Sequence, residues 1–412
     1  MGGEPSADVV IRYLQRGEIH LRAEAEIEHE LVSVSQFDQP AGVGLGSALK
    51  WAAGAEGAFA FGFAQNLGSG TSKARLVAGY QGSFVQGHVI TAITQTAGGS
   101  YVKAANKGGF ASGYARANGT TSIALVGADQ GAHANGFCVS AGTGEARVQA
   151  NGVGSHAGGQ AENSGSADAN INGQVGGSFA HGYVQASGSG LGFIQSSSPG
   201  SFAQGKVNQN SGINGGIGRI DASGPGGFAQ GDAEFGTIKA GGAGSFAQGY
   251  AYAGSIVAYG YAGFAHGYCR GGDIYSSQKG SVAFGVGYNA SIRSTQRGSF
   301  AMGYANGANI QASGRGSFAG GYAYNFAISA SGSGSFAFGY ANAAITASAI
   351  NAAQFGPGVN ALADSLKIGV AGLRLKGTSG APGAPADGDI WVANTNVYIR
   401  TGGVTQNITS LT

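Results

Sequence analysis

Histidine side chains are candidates for metal binding or catalysis, but their spacing in this sequence argues against a reactive site. The chain has 7 histidines. His133 and His156 occupy one position of a recurring phrase, and His181 and His266 stand two residues further along separate copies of it. A zinc site needs ligands at close and regular spacings. We therefore interpret these histidines as substitutions within a repeat and predict no metal site.

The cysteines and carboxylates give the same result. Cys138 and Cys269 are far apart in the repeat, which indicates two small buried side chains rather than a disulfide. The aspartates lie in turns or are scattered among small residues: Asp364, Asp387 and Asp389 in the first group, and Asp168, Asp221 and Asp232 in the second. Residues 188–192 are glycine-rich, but no crossover helix follows them, so no phosphate loop is predicted. No nucleophile has a partner base. We expect no catalytic residues, no cofactor and no enzyme.

The framework that positions the surface side chains is a recurring sequence phrase of the type Ser-Phe-Ala-x-Gly-Tyr. This phrase returns every 18 residues between residues 228 and 345. Its bulky position is Phe228, Phe246, Phe264, Val282, Phe300, Phe318 and Phe336. Ten residues later comes an isoleucine: Ile238, Ile256, Ile274, Ile292, Ile310 and Ile328. Two ladders of like residues at one period indicate a stacked repeat. We expect the Phe and the Ile of each coil to be its buried side chains.

A tyrosine follows the bulky position by four residues in five of these copies: Tyr250, Tyr268, Tyr304, Tyr322 and Tyr340. Two interpretations stay open. The tyrosines stack from coil to coil and make the repeat rigid, which we favour, or they form an exposed stripe for sugar rings.

Seven earlier copies of the phrase extend the array. They start at Phe59, Phe84, Phe110, His133, His156, Phe179 and Phe202, at intervals of 23 to 26 residues, which gives about fourteen coils in all. The 5–8 additional residues per coil predict loops on one flank, where binding variation collects. The candidate receptor contacts in them are Gln95, Tyr101, Asn118, Asn163, Asn172, Phe193 and Gln195. These groups would hydrogen-bond neutral sugars; alternatively, they pack on a neighbouring chain or shield the repeat.

One coil reads as two strands. Residues 317–323 form the first, residues 327–330 the second, and residues 331–334 turn the chain. The fold class is therefore all-β, a parallel β-solenoid. Two strands per coil make a flattened β-roll, and three would make a triangular helix. The roll is favoured, because an aliphatic residue at every sixth position is absent.

Three segments follow from this. Residues 1–50 form an N-terminal docking or assembly segment, in which the alternation of residues 18–31 favours a strand over a helix. Residues 51–356 form the glycine-rich solenoid. Residues 357–412 form a small C-terminal β cap or trimerisation module, because an open last coil would promote aggregation.

Composition excludes several classes of protein. Glycine contributes 81 residues, yet the hydrophobic content of 42% argues against disorder, and collagen's period and proline content are absent. Only 10% of residues are charged and the net charge is +2, so nucleic acid is not an expected partner. No apolar run is long enough for a membrane helix, so no membrane insertion is expected. No signal peptide opens the sequence.

Two stretches resemble known families. The Ser-Phe-Ala-x-Gly-Tyr-Ala coil resembles the Ser-Val-Ala-Ile-Gly repeats of trimeric autotransporter adhesin heads, which also occur in phage fibres. The resemblance implies a left-handed parallel β-roll and three chains along one axis. Residues 358–369 are similar to the sequence that closes such arrays. Residues 384–392 with 397–400 are similar to a terminal module of phage tail and virion proteins. The missing leader and anchor fit a virion protein better than an autotransporter.

The leading hypothesis is thus a viral tail fibre or spike protein, localised to the virion, that attaches to a host-cell surface. Its expected partners are two further copies of itself, other virion proteins, and a host glycan or protein. Self-association is expected because one thin roll buries little area per ordered residue. The alternative is a subunit of an extracellular filament or a cell-surface adhesin. A glycan-degrading tailspike is the third hypothesis, and it would require a carboxylate pair in one groove.

Overall fold

The chain is an all-β parallel solenoid in the computed structural model, as the repeat predicted. The structure describes residues 49–53, 58–66, 73–91, 99–104, 106–117, 123–128, 130–140, 145–163, 168–186, 191–209, 218–234, 236–368, 390–393, 396–401 and 403–407. The N-terminal segment 1–48, including the expected strand over residues 18–31, lies outside these ranges. Two compact units, residues 1–223 and 224–412, are described separately.

The first unit alternates between two parallel sheets. Its strands are β1 (Leu49–Ala53), β2 (Phe59–Asn66), β3 (Lys73–Ala78), β4 (Phe84–Thr91), β5 (Gly99–Ala104), β6 (Phe110–Ala117), β7 (Ile123–Ala128), β8 (His133–Ser140), β9 (Ala146–Ala150), β10 (His156–Asn163), β11 (Asp168–Gly173), β12 (Phe179–Ala186), β13 (Leu191–Ser196), β14 (Phe202–Gln209) and β15 (Arg219–Ala222). The even-numbered strands pair in sequence order and form what we call the Phe sheet; the odd-numbered strands form the Ile sheet. Each coil therefore contributes two strands, which confirms the flattened roll.

The second unit repeats this arrangement. Its solenoid strands are β16 (Phe228–Ala233), β17 (Thr237–Ala240), β18 (Phe246–Tyr252), β19 (Ser255–Ala258), β20 (Phe264–Arg270), β21 (Asp273–Ser276), β22 (Val282–Tyr288), β23 (Ile292–Ser294), β24 (Phe300–Asn306), β25 (Ile310–Ala312), β26 (Phe318–Tyr324), β27 (Ile328–Ala330), β28 (Phe336–Ala341), β29 (Ile345–Ala347), β30 (Ala353–Phe355), β31 (Gly358–Asn360) and β32 (Leu366–Ile368). Even-numbered strands again form the Phe sheet. The paired strands continue to Ile368, past the boundary that the sequence suggested at residue 356.

A separate antiparallel sheet lies near the C-terminus. It consists of β33 (Ile390–Ala393), β34 (Asn396–Thr401) and β35 (Val404–Asn407). β33 pairs with β34 and β34 pairs with β35, both antiparallel. All three strands lie within residues 357–412, the segment that the sequence predicted as a C-terminal β cap.

Isoleucine and alanine fill the interior of the roll. The predicted ladder from Ile238 to Ile328 is fully buried and continues to Ile345. In the first unit the same inward position of the Ile sheet holds valine or isoleucine. These fully buried residues are Val102, Val148, Ile171, Ile194 and Ile220. The Phe sheet contributes two small inward residues to most coils, usually alanines such as Ala319 and Ala323. The core is thus a column of large side chains facing a surface of small ones.

Glycine makes that fit possible at the centre of each Phe-sheet strand. Gly249 and Gly267 both have a φ of +145°, a region in which a side chain is strained. A Cβ at Gly249 would lie 2.7 Å from Cδ1 of Ile256 and would overlap the carbonyl oxygen of Gly267 in the next coil. A Cβ at Gly267 would lie 2.9 Å from Cδ1 of Ile274. The fifth residue of the phrase is therefore glycine because the isoleucine and the next coil occupy the space.

The phenylalanines are not in the core, and the expectation that they are buried is wrong. Phe318 and Tyr322 lie on the outer face of the Phe sheet and are partly exposed, whereas Ala319 and Ala323 beside them are fully buried. The physical reason is space, because an interior lined by alanine and glycine on one side has room for one large side chain per coil. Isoleucine takes that room, so the aromatic ring turns outward.

The long coils of the first unit differ from the expectation of loops. β10 and β11 have 8 and 6 residues, whereas β26 and β27 have 7 and 3. Much of the extra length of these coils therefore lies in longer strands. Residues 191–196, which were expected in an insertion, form β13, where outward Phe193 and Gln195 alternate with buried Ile194 and Ser196.

Candidate functional site

The outer face of the Phe sheet in residues 224–412 is a set of aromatic columns. Phe228, Phe246 and Phe264 stack with centroid separations of 4.8 and 5.0 Å and interplanar angles of 3°. Phe300, Phe318 and Phe336 form a second stack, at 5.4 and 4.6 Å. Parallel strands set this spacing, since like residues in register lie one strand apart. Each ring covers the faces of its neighbours and turns an edge to the outside.

The tyrosine column runs beside the phenylalanines, and the prediction that it stacks from coil to coil is confirmed. Tyr250 and Tyr268 are 5.2 Å apart between ring centroids, and Tyr322 lies 4.9 Å from Tyr304 and 5.0 Å from Tyr340. The hydroxyl of Tyr250 donates a 3.1 Å hydrogen bond to Oε2 of Glu234. Desolvation, followed by that bond and by the nearby carboxylates, raises the pKa of Tyr250 to about 12.

One coil interrupts both columns. Val282 stands in register between Phe264 and Phe300, and Val286 stands between Tyr268 and Tyr304. Tyr268 is 37% exposed, and Tyr340, the last ring of its column, is 60% exposed. Phe284 of the same coil stacks on His266 at 5.4 Å. We call the outer surface of the Phe sheet in residues 224–412 the aromatic face. At the coil that interrupts the Phe and Tyr columns, the column between them supplies one aromatic contact, from His266 to Phe284, and Met302 follows in the next coil.

Histidine takes the place of phenylalanine in the first unit, as predicted. His133 lies edge-on to Phe110 at 4.4 Å, and His156 stacks on Phe179 at 4.6 Å with an interplanar angle of 8°. Burial lowers the pKa of His133. Burial, together with repulsion from His133 and His181, lowers the pKa of His156. Both rings therefore act as neutral members of an aromatic column.

The outer face of the Ile sheet in residues 1–223 has a different chemistry. Six amide side chains lie close together on strands β9, β11 and β13 and on the residues that directly follow β9 and β11. We call this surface the amide face. It comprises Gln149, Asn151, Asn170, Asn172, Gln174 and Gln195. Gln149 is in register with Asn172, and Asn172 with Gln195. Arg147, Asn170 and Phe193 form the adjacent column.

Hydrogen bonds within the amide face leave its centre unsatisfied. Nε2 of Gln149 donates to Oδ1 of Asn151 at 2.6 Å, and Nε2 of Gln195 donates to Oε1 of Gln174 at 2.8 Å. Between them, the buried Oδ1 atoms of Asn170 and Asn172 have no hydrogen-bond partner in the described structure. Asn170 is only 7% exposed. Buried amide oxygens are normally paired, so these two need a donor.

Each guanidinium group at this face is paired with a carboxylate. Arg147 forms an ion pair with Glu145, and Oδ1 of Asp168 accepts a 2.8 Å hydrogen bond from the Glu145 amide. Further along the sheet, Arg219 binds the fully buried Asp221 at 2.7 Å. The two guanidinium groups are therefore each engaged by a carboxylate two residues away in the chain.

The structure brings together three of the seven candidate receptor contacts, though on strands rather than in loops: Asn172 lies on β11, and Phe193 and Gln195 lie on the neighbouring β13. Tyr101 lies on β5 of the same sheet, with β7 and β9 between it and β11. Asn163 is the last residue of β10. Gln95 and Asn118 lie outside the described residues. Sequence reasoning missed Asn170 and Gln149, although the 23-residue spacing of Val148, Ile171 and Ile194 would have placed their neighbours on one face.

Cys138 and Cys269 stand in the inward alanine column, as small buried side chains should. Cys138 is in register with Ala115 and Ala161, and Cys269 with Ala251. Burial, with a smaller effect of Asp273, raises the pKa of Cys269 to about 12. Within the described residues, no group of three or more His, Cys, Asp or Glu side chains is placed to hold a metal ion.

Fold and surfaces together define a parallel β-solenoid that presents an aromatic face and an amide face. Comparison with family models, with curated proteins and with solved structures finds no match for this chain. In the part of the chain that the structure describes, no helix has the length and apolar character needed to cross a membrane.

Proposed function

We propose that this chain is a structural fibre or spike protein of a virion that attaches to a host-cell surface. The observation that supports it best is the aromatic face, on which ring edges lie outside the core along successive coils. A contiguous apolar surface on a soluble protein marks a site of protein–protein contact. The similarity of the repeat to adhesin heads and phage fibres points to the same kind of molecule.

The aromatic face is the surface through which we infer that three chains associate. Phe284 and Phe338 are each 41% exposed, and most other rings in the columns are partly exposed. Burying such edges against another copy contributes roughly 25 cal/mol per Å². The thin core of isoleucine, alanine and glycine makes that gain important for each chain. The Ile sheet faces the opposite way and stays open to a host surface.

Mass measurement on the purified full-length protein tests the association. We expect the mass of three chains by light scattering, and a lower mass for Phe318→Lys, whose charge would lie in the centre of the Phe300–Phe336 stack. Gln311→Lys is the matched control, because Gln311 lies on the outer face of the Ile sheet. A wild-type protein that remains a folded monomer at micromolar concentration contradicts the association.

Immunogold electron microscopy tests the location. Antibodies against the chain should label the tail or spikes of virus particles released by the cells that produce it. Label restricted to the cell surface would overturn the virion assignment and favour the adhesin alternative.

A filament subunit is the second candidate, and the last coil of the solenoid favours it. Leu362 and Leu366 are 72% and 61% exposed, and within the described residues β32 pairs on one side only, with β30. An open parallel edge with apolar side chains promotes end-to-end addition of chains. Indefinite polymers in electron micrographs, converted to single particles by Leu366→Lys, would support the filament; uniform finite particles support the fibre.

A further inference from the structure

The amide face has features that the aromatic face and the solenoid core do not explain. Its side chains lie on the outer face of the Ile sheet, away from the isoleucine core. Its six amides occupy three neighbouring strands, whereas the same outer positions of the regular coils hold mixed residues such as Arg293, Gln311 and Ser329. The two central oxygens, of Asn170 and Asn172, are buried without a donor. A buried acceptor without a partner is a cost that a ligand can relieve.

We propose that the amide face binds a neutral polysaccharide. Each amide offers both a donor and an acceptor, as sugar hydroxyls do. Phe193, half-buried and in register with Asn170, adds an apolar ring beside the amides. Ligand hydroxyls would donate to Oδ1 of Asn170 and Asn172, which satisfies the two orphaned acceptors. The inference builds on the proposed attachment function and names the class of surface component.

The charge pattern selects a neutral ligand over an acidic one. Arg147 is held by Glu145, and Asp168 adds a second carboxylate to the same edge of the face. On the next strand, Arg219 and Asp221 are in register with Phe193 and Gln195. The local balance is therefore two guanidinium groups against three carboxylates, so a uronic acid, a sialic acid or a phosphate would be repelled. A hydroxyl-rich neutral chain meets no such penalty.

The repeat also suits a polymer. The amides of adjacent coils are separated by the strand spacing of about 4.8 Å, which is close to the length of one hexopyranose unit in an extended chain. Gln149, Asn172 and Gln195 could therefore each engage a successive sugar. Binding at several weak positions on one rigid surface raises the overall affinity.

The test is affinity electrophoresis of the full-length protein in gels containing dextran, a β-glucan, a mannan or a galactan, with polygalacturonate as the acidic comparison. We expect retardation by at least one neutral polymer and none by polygalacturonate. Asn172→Leu keeps the size of the side chain and removes its polar atoms, so the apparent dissociation constant should rise at least tenfold. Its melting temperature should stay the same or increase, since an unsatisfied acceptor is removed.

Gln311→Leu is the matched control, because Gln311 is an outward amide directly after the ladder isoleucine Ile310, as Asn172 is after Ile171. It should bind like the wild type. The proposal is overturned if no neutral polymer retards the protein, if polygalacturonate alone does, or if Asn172→Leu binds normally. A lower particle mass for Asn172→Leu would make this face a contact between chains instead. Unchanged trimer mass and particle labelling alongside any of the first three results would leave the proposed fibre function intact.

Discussion

At the scale of single residues, the structure of the roll requires glycine at positions where a side chain cannot be accommodated. Gly249 faces Ile256 and the backbone of the next coil, and a methyl group has no room there. Gly244 in the preceding turn has a φ of +61° but nothing within 4 Å of an added Cβ. The two glycines are therefore required for different reasons, one for space and one for backbone conformation.

Substitution separates these reasons. Gly244→Ala should fold and lose about 1–2 kcal/mol, the usual cost of a left-handed conformation with a side chain. Gly249→Ala should fail to give soluble folded protein, because neither the Gly267 carbonyl nor Ile256 can move without opening the ladder. Soluble yield and thermal melting report both outcomes. Equal stability of the two variants would show that the close approach of coils is not limiting.

The column histidines should make stability depend on pH. The pKa values of His133 and His156 are lowered in the folded chain, so near and below the unfolded value of about 6.5 the unfolded chain binds more protons. Stability is therefore full above that pH and falls as the pH drops through the lowered folded pKa values. The melting temperature should be lower at pH 5 than at pH 7.5.

A double variant, His133→Phe with His156→Phe, supplies the comparison for this pH effect. It restores the phenylalanine of the other coils and removes both titrating groups, so its melting temperature should change less over the same range. An equal decrease in the wild type and in the variant would assign the acid sensitivity to other residues.

At the scale of the strand, like residues in register act as a unit. The broken columns at Val282 and Val286 leave ring faces of Phe264, Phe300, Tyr268 and Tyr304 without an aromatic neighbour in the next coil. Completing a column adds two ring pairs, each contributing about 0.5–1.5 kcal/mol beyond its buried area.

Val282→Phe and Val286→Tyr should therefore each raise the melting temperature. Ser329→Phe adds a ring to the outer face of the Ile sheet, where its register neighbours are Gln311 and Thr346, and should give no such gain. Differential scanning calorimetry compares the three variants. A gain for Ser329→Phe as large as for Val282→Phe would show that added area, rather than stacking, is responsible.

Sequence periodicity was enough to predict the strands and the two ladders, because a fixed interval places like residues in register. It was not enough to assign inside and outside on the Phe sheet. Phe318 and Ala319 alternate either way, and the larger residue was expected to be buried. Only the packing of Ile328 against the opposite sheet shows that one side of the core must be small. The amide face was missed in part because additional residues that lengthen strands look like loop insertions.

At the scale of the whole molecule, the coil is the unit that repeats. In residues 228–345 every regular coil presents an inward isoleucine opposite small inward residues, so removing one complete coil leaves matching neighbours. Deleting residues 282–299 joins Ser281 to Phe300, restores the recurring phrase, and places Phe264 next to Phe300. The shortened chain should fold with a far-ultraviolet circular dichroism spectrum like that of the parent protein.

A deletion of half a coil is the control for this experiment. Removing residues 282–290 alone would place β23 where a Phe-sheet strand belongs and would bring isoleucine against alanine positions. This variant should aggregate or remain unfolded. If both deletions fold equally well, the register between coils is not what specifies the structure.

Inward and outward residues alternate along the strands, and this alternation affects how the sequence of such a protein evolves. On β11, Ala169, Ile171 and Gly173 point inward and are constrained by neighbouring coils, whereas Asn170 and Asn172 point outward. A single mutation at an outward residue can alter what the surface recognises while the packing of the core is kept. Selection can therefore act on recognition and on folding almost independently, at alternate residues of one strand.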